Sequence, residues 1–180
     1  VRQDGRSASL TAPNGQAQQQ LLRAAAADAG SVMREVMGCE AHGTGTALGD
    51  PIEASALANA VLSERGSESG FALGGAKANL GHTESGAGLT GVVKLLSGLG
   101  GSVWAPNAQL RAANPHVHSV LRHWTSVLPS QLAPLEGTGL TGSSFGVSSF
   151  GYSGTIAHAM VASAQMVSHC WPCSPARVSW

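Results

Sequence analysis

Apolar stretches along this chain are separated by clusters of Gly, Pro, Asn and Ser, and they divide into helix-like and strand-like segments. Residues 16–30, QAQQQLLRAAAADAG, are rich in Ala, Gln and Leu and predict a helix stopped by Gly30. Pro13, Asn14 and Gly15 mark a turn just before it. Residues 34–42, REVMGCEAH, are short and partly apolar and fit a strand ending near His42. Asp50 followed by Pro51 reads as a helix start, an N-cap acceptor and then proline at the first helical position. Glu53, three residues after Asp50, completes a pattern like a capping box, and that helix should run through residues 52–66 to end near Gly66. Residues 70–82, GFALGGAKANLGH, read as a buried strand leading into a loop. Residues 84–101, ESGAGLTGVVKLLSGLGG, read as a helix whose small residues share one face, suited to close packing. Residues 106–121 read as loop with a little helix. Residues 141–163 read as two β-rich segments around a Gly/Ser turn. Alternating strands and helices predict an α/β protein. The pattern holds over residues 1–163; residues 164–180 change character from Gln165 and read as a tail of unassigned role.

Composition narrows the possibilities. The 180 residues suit one domain or a large part of one. With 43% hydrophobic and 11% charged residues the chain can bury a core. Ten basic residues balance ten acidic ones, which argues against a nucleic-acid or anionic-membrane surface. The stretch 85–106 is apolar, but Lys94 near its middle and its frequent glycines favour a buried helix and turn over a membrane span. Cys39, Cys170 and Cys173 are an odd set and predict no disulfide framework. No signal peptide is visible at the start, but the first residue is Val and the chain is expected to begin mid-protein, so that says little about location, for which an intracellular, cytoplasmic compartment is the expectation.

Three stretches carry candidate chemistry. In HGTGT, His42 stands at a strand end beside glycines that let a ligand approach the backbone, and Thr44 and Thr46 alternate so that both hydroxyls can point one way. A tight turn with a surface histidine explains the same residues. Gly43, Gly45 and Gly49 miss the dinucleotide-binding spacing by one residue. In AKANLGHTESGAG, Lys77 and His82 flank a strand-to-helix turn, and Glu84 suits the helix start and could pair with Lys77. A capped helix with a salt bridge is the plainer account. Two neutral imidazoles facing one cleft, His42 and His82, could hold a developing oxyanion or enolate. In GVSSFGYSGTIAHA, a Gly/Ser hairpin with aromatics either side of Gly151 could turn backbone N–H groups into a site.

Taken in order, DGRSASLTAPNGQAQQ, EAHGTGTALGDPIEA, GAKANLGHTESGAG, NPH and GVSSFGYSGTIAHA resemble the C-terminal half of a β-ketoacyl synthase, the ketosynthase domain of modular-type polyketide synthases. The resemblance covers about residues 4–162. It implies the C-terminal portion of a thiolase-like fold, layered αβαβα, that works as a homodimer when complete. The implied reaction, in polyketide or fatty acid biosynthesis, is decarboxylative Claisen condensation of a malonyl unit on an acyl carrier protein with an enzyme-bound acyl chain. The carrier protein and adjacent polyketide synthase domains are the implied partners. No cofactor or metal is implied; the substrate arrives on the carrier's phosphopantetheine. By motif position, His42 and His82 would assist decarboxylation and stabilise the enolate. Lys77 would order the second histidine's site. Thr44 and Thr46 would contact the pantetheine arm. Tyr152, where the family usually has Phe, would lie beside the acyl chamber and offer its backbone N–H.

Departures from the family pattern are informative. The nucleophilic cysteine of a TACSS-like motif is absent from residues 1–180, so the chain is expected to be inactive alone. Cys39 is expected to be buried and inert. Ile156 replaces a usual Asn, and AKAN replaces VKSN. Cys170 and Cys173, with His169 nearby, lack the context of a redox pair or zinc site. His116, His118 and His123 read as surface residues and His158 as structural. A non-condensing ketosynthase-like domain that binds acyl chains or a carrier protein is the alternative from another class. A thiolase using free coenzyme A is disfavoured because no second cysteine stands near the last motif. Half of a two-lobed fold should expose an apolar face and be poorly soluble by itself.

Overall fold

The structure is a computed structural model that describes residues 1–5, 12–65, 70–108, 110–135 and 143–162. The tail, with His169, Cys170 and Cys173, and the expected helix end at Gly66 lie outside the described residues.

A short strand, β1 (Arg2–Gln3), precedes the first helix. Helix α1 (Gly15–Asp28) starts where expected because the Asn14 side chain accepts hydrogen bonds from the N–H groups of Gln16 and Ala17. Strand β2 (Val36–Glu40) follows a single 3-10 turn, and its burial on both faces fits the interior of a sheet.

The next helix, α2 (Gly49–Ala60), departs from expectation at both ends. Asp50 is not its N-cap. Leu48 holds that position, the Oγ1 of Thr46 in the preceding loop accepts the Gly49 N–H at 3.0 Å, and Asp50 reaches back to accept the Gly45 N–H at 3.1 Å. Glu53 does not close a capping box; its carboxylate binds the preceding loop. The helix gives way at Val61 to a 3-10 turn over Leu62–Glu64.

Strand β3 (Phe71–Gly74) leads into a four-residue helix, α3 (Lys77–Leu80), where a loop was expected. Helix α4 (Ala87–Gly100) occupies most of the segment predicted to be helical. Its small residues do face the sheet: a Cβ at Gly88 would lie 2.9 Å from the Ser149 side chain, and one at Gly91 would lie 3.0 Å from Val147. No described helix is long and apolar enough to cross a membrane. Two-residue strands β4 (Val103–Trp104), β5 (Ser126–Val127) and β6 (Ala133–Pro134) and helix α5 (Pro115–Leu121) complete the middle of the chain. Strands that short have no period to read, so β1, β4, β5 and β6 escape sequence analysis. The last motif is a hairpin of β7 (Ser144–Phe150) and β8 (Thr155–Ala162).

The six-stranded sheet has the order β1-β8-β7-β2-β3-β5. Strands β7, β2, β3 and β5 are parallel, β8 runs antiparallel beside β7, and the edge strand β1 pairs antiparallel with β8. Helices α1, α2 and α5 cover one face, where Leu22, Leu57 and Phe71 are 2% exposed. Each such side chain contributes roughly 1.5–3 kcal/mol by burial. Helix α4 covers the other face over Leu95, Trp104, Phe145 and Val147. A β-bulge between Val36 and Gly38 resets the alternation of β2. Beyond it, Cys39 faces α1 and α2, and Glu40 faces Lys94 of α4. Glu40 is in register with Gly74 of β3 and with Val147 of β7. The carboxyl ends of these parallel strands therefore open at one edge, where open α/β sheets place their sites.

Candidate active site

His42 lies two residues beyond β2, Lys77 opens α3 beyond β3, and Phe150 ends β7. The register brings all three together. The Phe150 N–H donates to Nδ1 of His42 at 3.2 Å. The Lys77 ammonium lies 3.4 Å from the same nitrogen and donates to the His42 carbonyl. Nδ1 is thus an acceptor, and the single proton of the neutral ring sits on Nε2. Burial first, then the Lys77 charge and then the nearby His82, pushes the His42 pKa down to about 4. The ring is neutral near pH 7. The Phe150 ring leans on it with centroids 5.5 Å apart.

His82 stands edge-on to His42, with ring centroids 6.1 Å apart and planes at 86°. Its Nδ1 accepts the Glu84 N–H at 2.9 Å, which again leaves Nε2 to carry the proton when the ring is neutral. Glu84 holds a left-handed φ of 50° to make that bond. The expected pairing of Glu84 with Lys77 does not form; Lys77 is turned to His42 because α3 hangs directly over the end of β2.

The loop between His42 and α2 is tied down from below. Glu53 is 6% exposed. Its Oε1 accepts the His42 N–H at 2.7 Å and its Oε2 the Gly43 N–H at 2.9 Å. Burial pushes its pKa up to about 7 against the pull of these two bonds. Gly43 and Gly45 have φ of 46° and 75°, which explains why this loop needs glycine there. The Thr44 and Thr46 hydroxyls come within 3.4 Å of each other, on one side, as alternation predicts.

His42, His82, Thr44, Thr46, Glu53, Phe150 and Tyr152 line one cavity of about 990 Å³. Tyr152 is 80% exposed at the hairpin tip, and it is Phe150 whose N–H meets a catalytic candidate. Ile156 is buried at the cavity wall. The hairpin is closed by its backbone, Gly151 N–H to the Thr155 carbonyl at 2.7 Å, so no Asn side chain is needed to hold it.

Outside the cavity, Cys39 is 1% exposed and burial pushes its thiol pKa up, which makes it unreactive. His158 is held by Ser148 at 3.0 Å inside the fold. His116, His118 and His123 are exposed. Among the described residues no three His, Cys, Asp or Glu side chains gather as metal ligands.

Sequence reading missed the part Glu53 plays and the buried Glu40–Lys94 ion pair. For Glu53 a partial signal existed: it stands among the Ala and Leu residues of α2 and, unlike Asn59, is on the buried side of that helix. Phe150 does turn its backbone N–H into the site, as the hairpin with aromatics either side of Gly151 suggested, but its partner is the His42 ring, which the sequence did not indicate.

Comparison with known proteins shows the family and the fold. The family model described as "Beta-ketoacyl synthase, C-terminal domain" matches residues 1–111. The spectinabilin polyketide synthase system protein NorA' of Streptomyces orinoci is 45% identical over 165 residues, 92% of this chain and 4% of the relative. The mycoketide-CoA synthase of Mycobacterium tuberculosis is 42% identical over 171 residues, 93% of this chain and 4% of the relative. The chain thus spans less than a tenth of either. Among solved structures, the ketosynthase from module 6 of the bacillaene synthase of Bacillus subtilis 168 superposes with a TM-score of 0.80 at 34% identity, over 88% of this chain and 28% of that one. The oxazolomycin ketosynthase domain OzmH KS7 of Streptomyces albus gives a TM-score of 0.80 at 30% identity, over 91% of this chain and 30% of that one. The architecture is that of the C-terminal part of a thiolase-like ketosynthase fold.

Proposed function

The chain belongs to the β-ketoacyl synthase family, as a stretch of its C-terminal domain, and on that premise we propose that its parent extends an acyl chain by decarboxylative Claisen condensation in polyketide biosynthesis. One observation carries this reading: two imidazoles, each with Nδ1 already accepting a backbone N–H, face one cavity with Nε2–H to give.

The chemistry needs such donors. When a malonyl thioester loses CO2, the electron pair of the breaking C–C bond moves onto the α-carbon and the thioester oxygen. The Nε2–H groups of His42 and His82 donate to that oxygen. The α-carbon then attacks the carbonyl of an acyl chain held as a cysteine thioester. The new C–C bond forms as the cysteine thiolate leaves, and the product is a β-ketoacyl thioester. Lys77 holds His42 through its carbonyl, and burial, with the Lys77 charge beside it, keeps the ring from taking a second proton.

Thr44 and Thr46 sit where hydroxyls can hydrogen-bond the amides of a phosphopantetheine arm. That arm would be supplied by an acyl carrier protein, and no other cofactor is called for. Adjacent polyketide synthase domains and a second ketosynthase copy are the remaining partners we propose. Tyr152, at the hairpin tip, would border the acyl chain. The nucleophilic cysteine is not among these 180 residues, so the stretch alone should neither acylate nor condense.

The test is CO2 release from a malonyl thioester by the parent ketosynthase. His82→Ala should lower the rate about 10²–10³-fold, the usual cost of losing one such donor. An unchanged rate would remove His82 from the chemistry. A residue other than Cys at the upstream nucleophile position would favour a non-condensing relative instead.

A further inference from the structure

We propose that Gln18 makes this site selective for a hydroxylated acyl chain: its side-chain amide, unpaired in the cavity wall, is the group that meets a hydroxyl on the chain. The inference deepens the function proposed above and rests on it.

Gln18 lies in the first turn of α1, where its backbone N–H donates to the Asn14 carbonyl at 3.0 Å. The residue is 3% exposed and lines the cavity that holds His42 and His82. Its Oε1 has no hydrogen-bond partner among the described residues. Buried amides are normally paired, and one left empty costs stability. The other buried side-chain atoms without partners, on Glu40, Arg65 and Trp104, belong to residues outside this cavity wall. Helix α1 packs on β8, and Ile156 of β8 is 2% exposed in the same wall. Ile156 is apolar where the family usually has Asn, so β8 offers the amide no side-chain partner at that position. This is the hairpin side of the cavity, the side given above to the acyl chain. Thr44 and Thr46, given to the pantetheine arm, come instead from the loop before α2.

The unpaired atom is an acceptor, so its partner has to be a donor. A hydrocarbon chain offers none, and a ketone, itself only an acceptor, leaves Oε1 as it is. A hydroxyl can donate to it. The terminal torsion of Gln is soft and two-fold, so the amide can turn Oε1 toward the cavity to receive that bond. Condensation leaves a ketone on the β-carbon of its product. A β-hydroxyacyl thioester, in which that ketone has become an alcohol, is therefore the substrate class that fits. A saturated chain would leave the amide empty, and a site built to bond a hydroxyl rejects the analogue that lacks it.

The experiment acylates the parent ketosynthase with N-acetylcysteamine thioesters of hexanoyl, β-ketohexanoyl and each enantiomer of β-hydroxyhexanoyl, reading kcat/KM by intact-protein mass spectrometry. The wild type should take one β-hydroxy enantiomer about 10–100-fold faster than the hexanoyl and β-keto chains, the usual cost of one unpaired buried polar group. Gln18→Met, apolar and of similar volume, should bring the rates together. Each comparison is a ratio within one protein, so a loss of folded material cancels and a purely structural role would leave the ratio unchanged. If Gln18→Met does not fold, Gln18→Asn, which keeps the amide but shortens its reach, is read the same way. A lost preference there supports the proposal and a wild-type preference overturns it. A preference kept in Gln18→Met, or none in the wild type, would overturn the proposal and leave the proposed condensation standing. If no thioester acylates the wild-type parent, the proposed function falls and this inference with it.

Discussion

His42 shows how the surroundings, rather than the side chain, set protonation. An imidazole with its ordinary pKa would be partly charged at pH 6.5 and a poor partner for the Lys77 ammonium. Burial and that ammonium hold it neutral down to about pH 4. The folded state therefore binds fewer protons than the unfolded chain between pH 6.5 and 4. His42 contributes stability that is present above 6.5 and lost as pH falls toward 4. Nitrogen-detected NMR of the parent, assigned with His42→Gln, should find the ring neutral at pH 5.5 with its proton on Nε2; a midpoint at 6.5 would contradict the geometry. Gly146 makes the opposite point, that an absent side chain can matter as much. A Cβ there would lie 2.5 Å from the His158 ring and 3.3 Å from Cys39 Sγ. Gly146→Ala should cost about 1–3 kcal/mol by overpacking, read as a lowered Tm.

Strand β2 and helix α4 meet through a charge pair inside an otherwise apolar contact. Glu40 is 2% and Lys94 11% exposed at the side chain. Burial raises the Glu40 pKa, and Lys94 opposes that rise. Removing one partner strands the other. Lys94→Met should destabilise by about 3–5 kcal/mol in chemical denaturation, and the Glu40→Gln/Lys94→Met double variant should regain most of that loss. Additive effects in that cycle would mean that the pair is not coupled. The same pair explains why an apolar stretch with one lysine reads so ambiguously. The lysine interrupts the hydropathy, yet it is on the inward face of the helix.

The outer face of α4 is the clearest sign of what this stretch of chain lacks. Leu89, Val93 and Leu96 are 69%, 57% and 50% exposed, spaced to form one stripe. A stripe of that kind on a stable monomer is unusual, and the chain spans only 28–30% of the solved ketosynthases it superposes on. Expressed alone, the 180 residues should run as aggregates in size exclusion, and Leu89→Lys with Val93→Glu should shift material toward the monomer. A cooperatively melting monomer of the unaltered chain would contradict this.

Much was legible before any fold was known. The order of the histidine, glycine and threonine motifs identified the family. Local chemistry placed α1, α4 and the β7–β8 hairpin, because capping, composition and period act over a few residues. The one-sided Thr44 and Thr46 followed from alternation alone. What local reading could not reach were partnerships across the chain. Asp50 and Glu53 match a capping pattern, but Thr46 was nearer to the free N–H groups, and both carboxylates turned to the loop instead. Phe150 reaches His42 across 108 residues and Lys94 reaches Glu40 across 54. Those meetings depend on which strands lie side by side and in what register. Sheet order is settled by the packing of whole elements, and no window of sequence contains it.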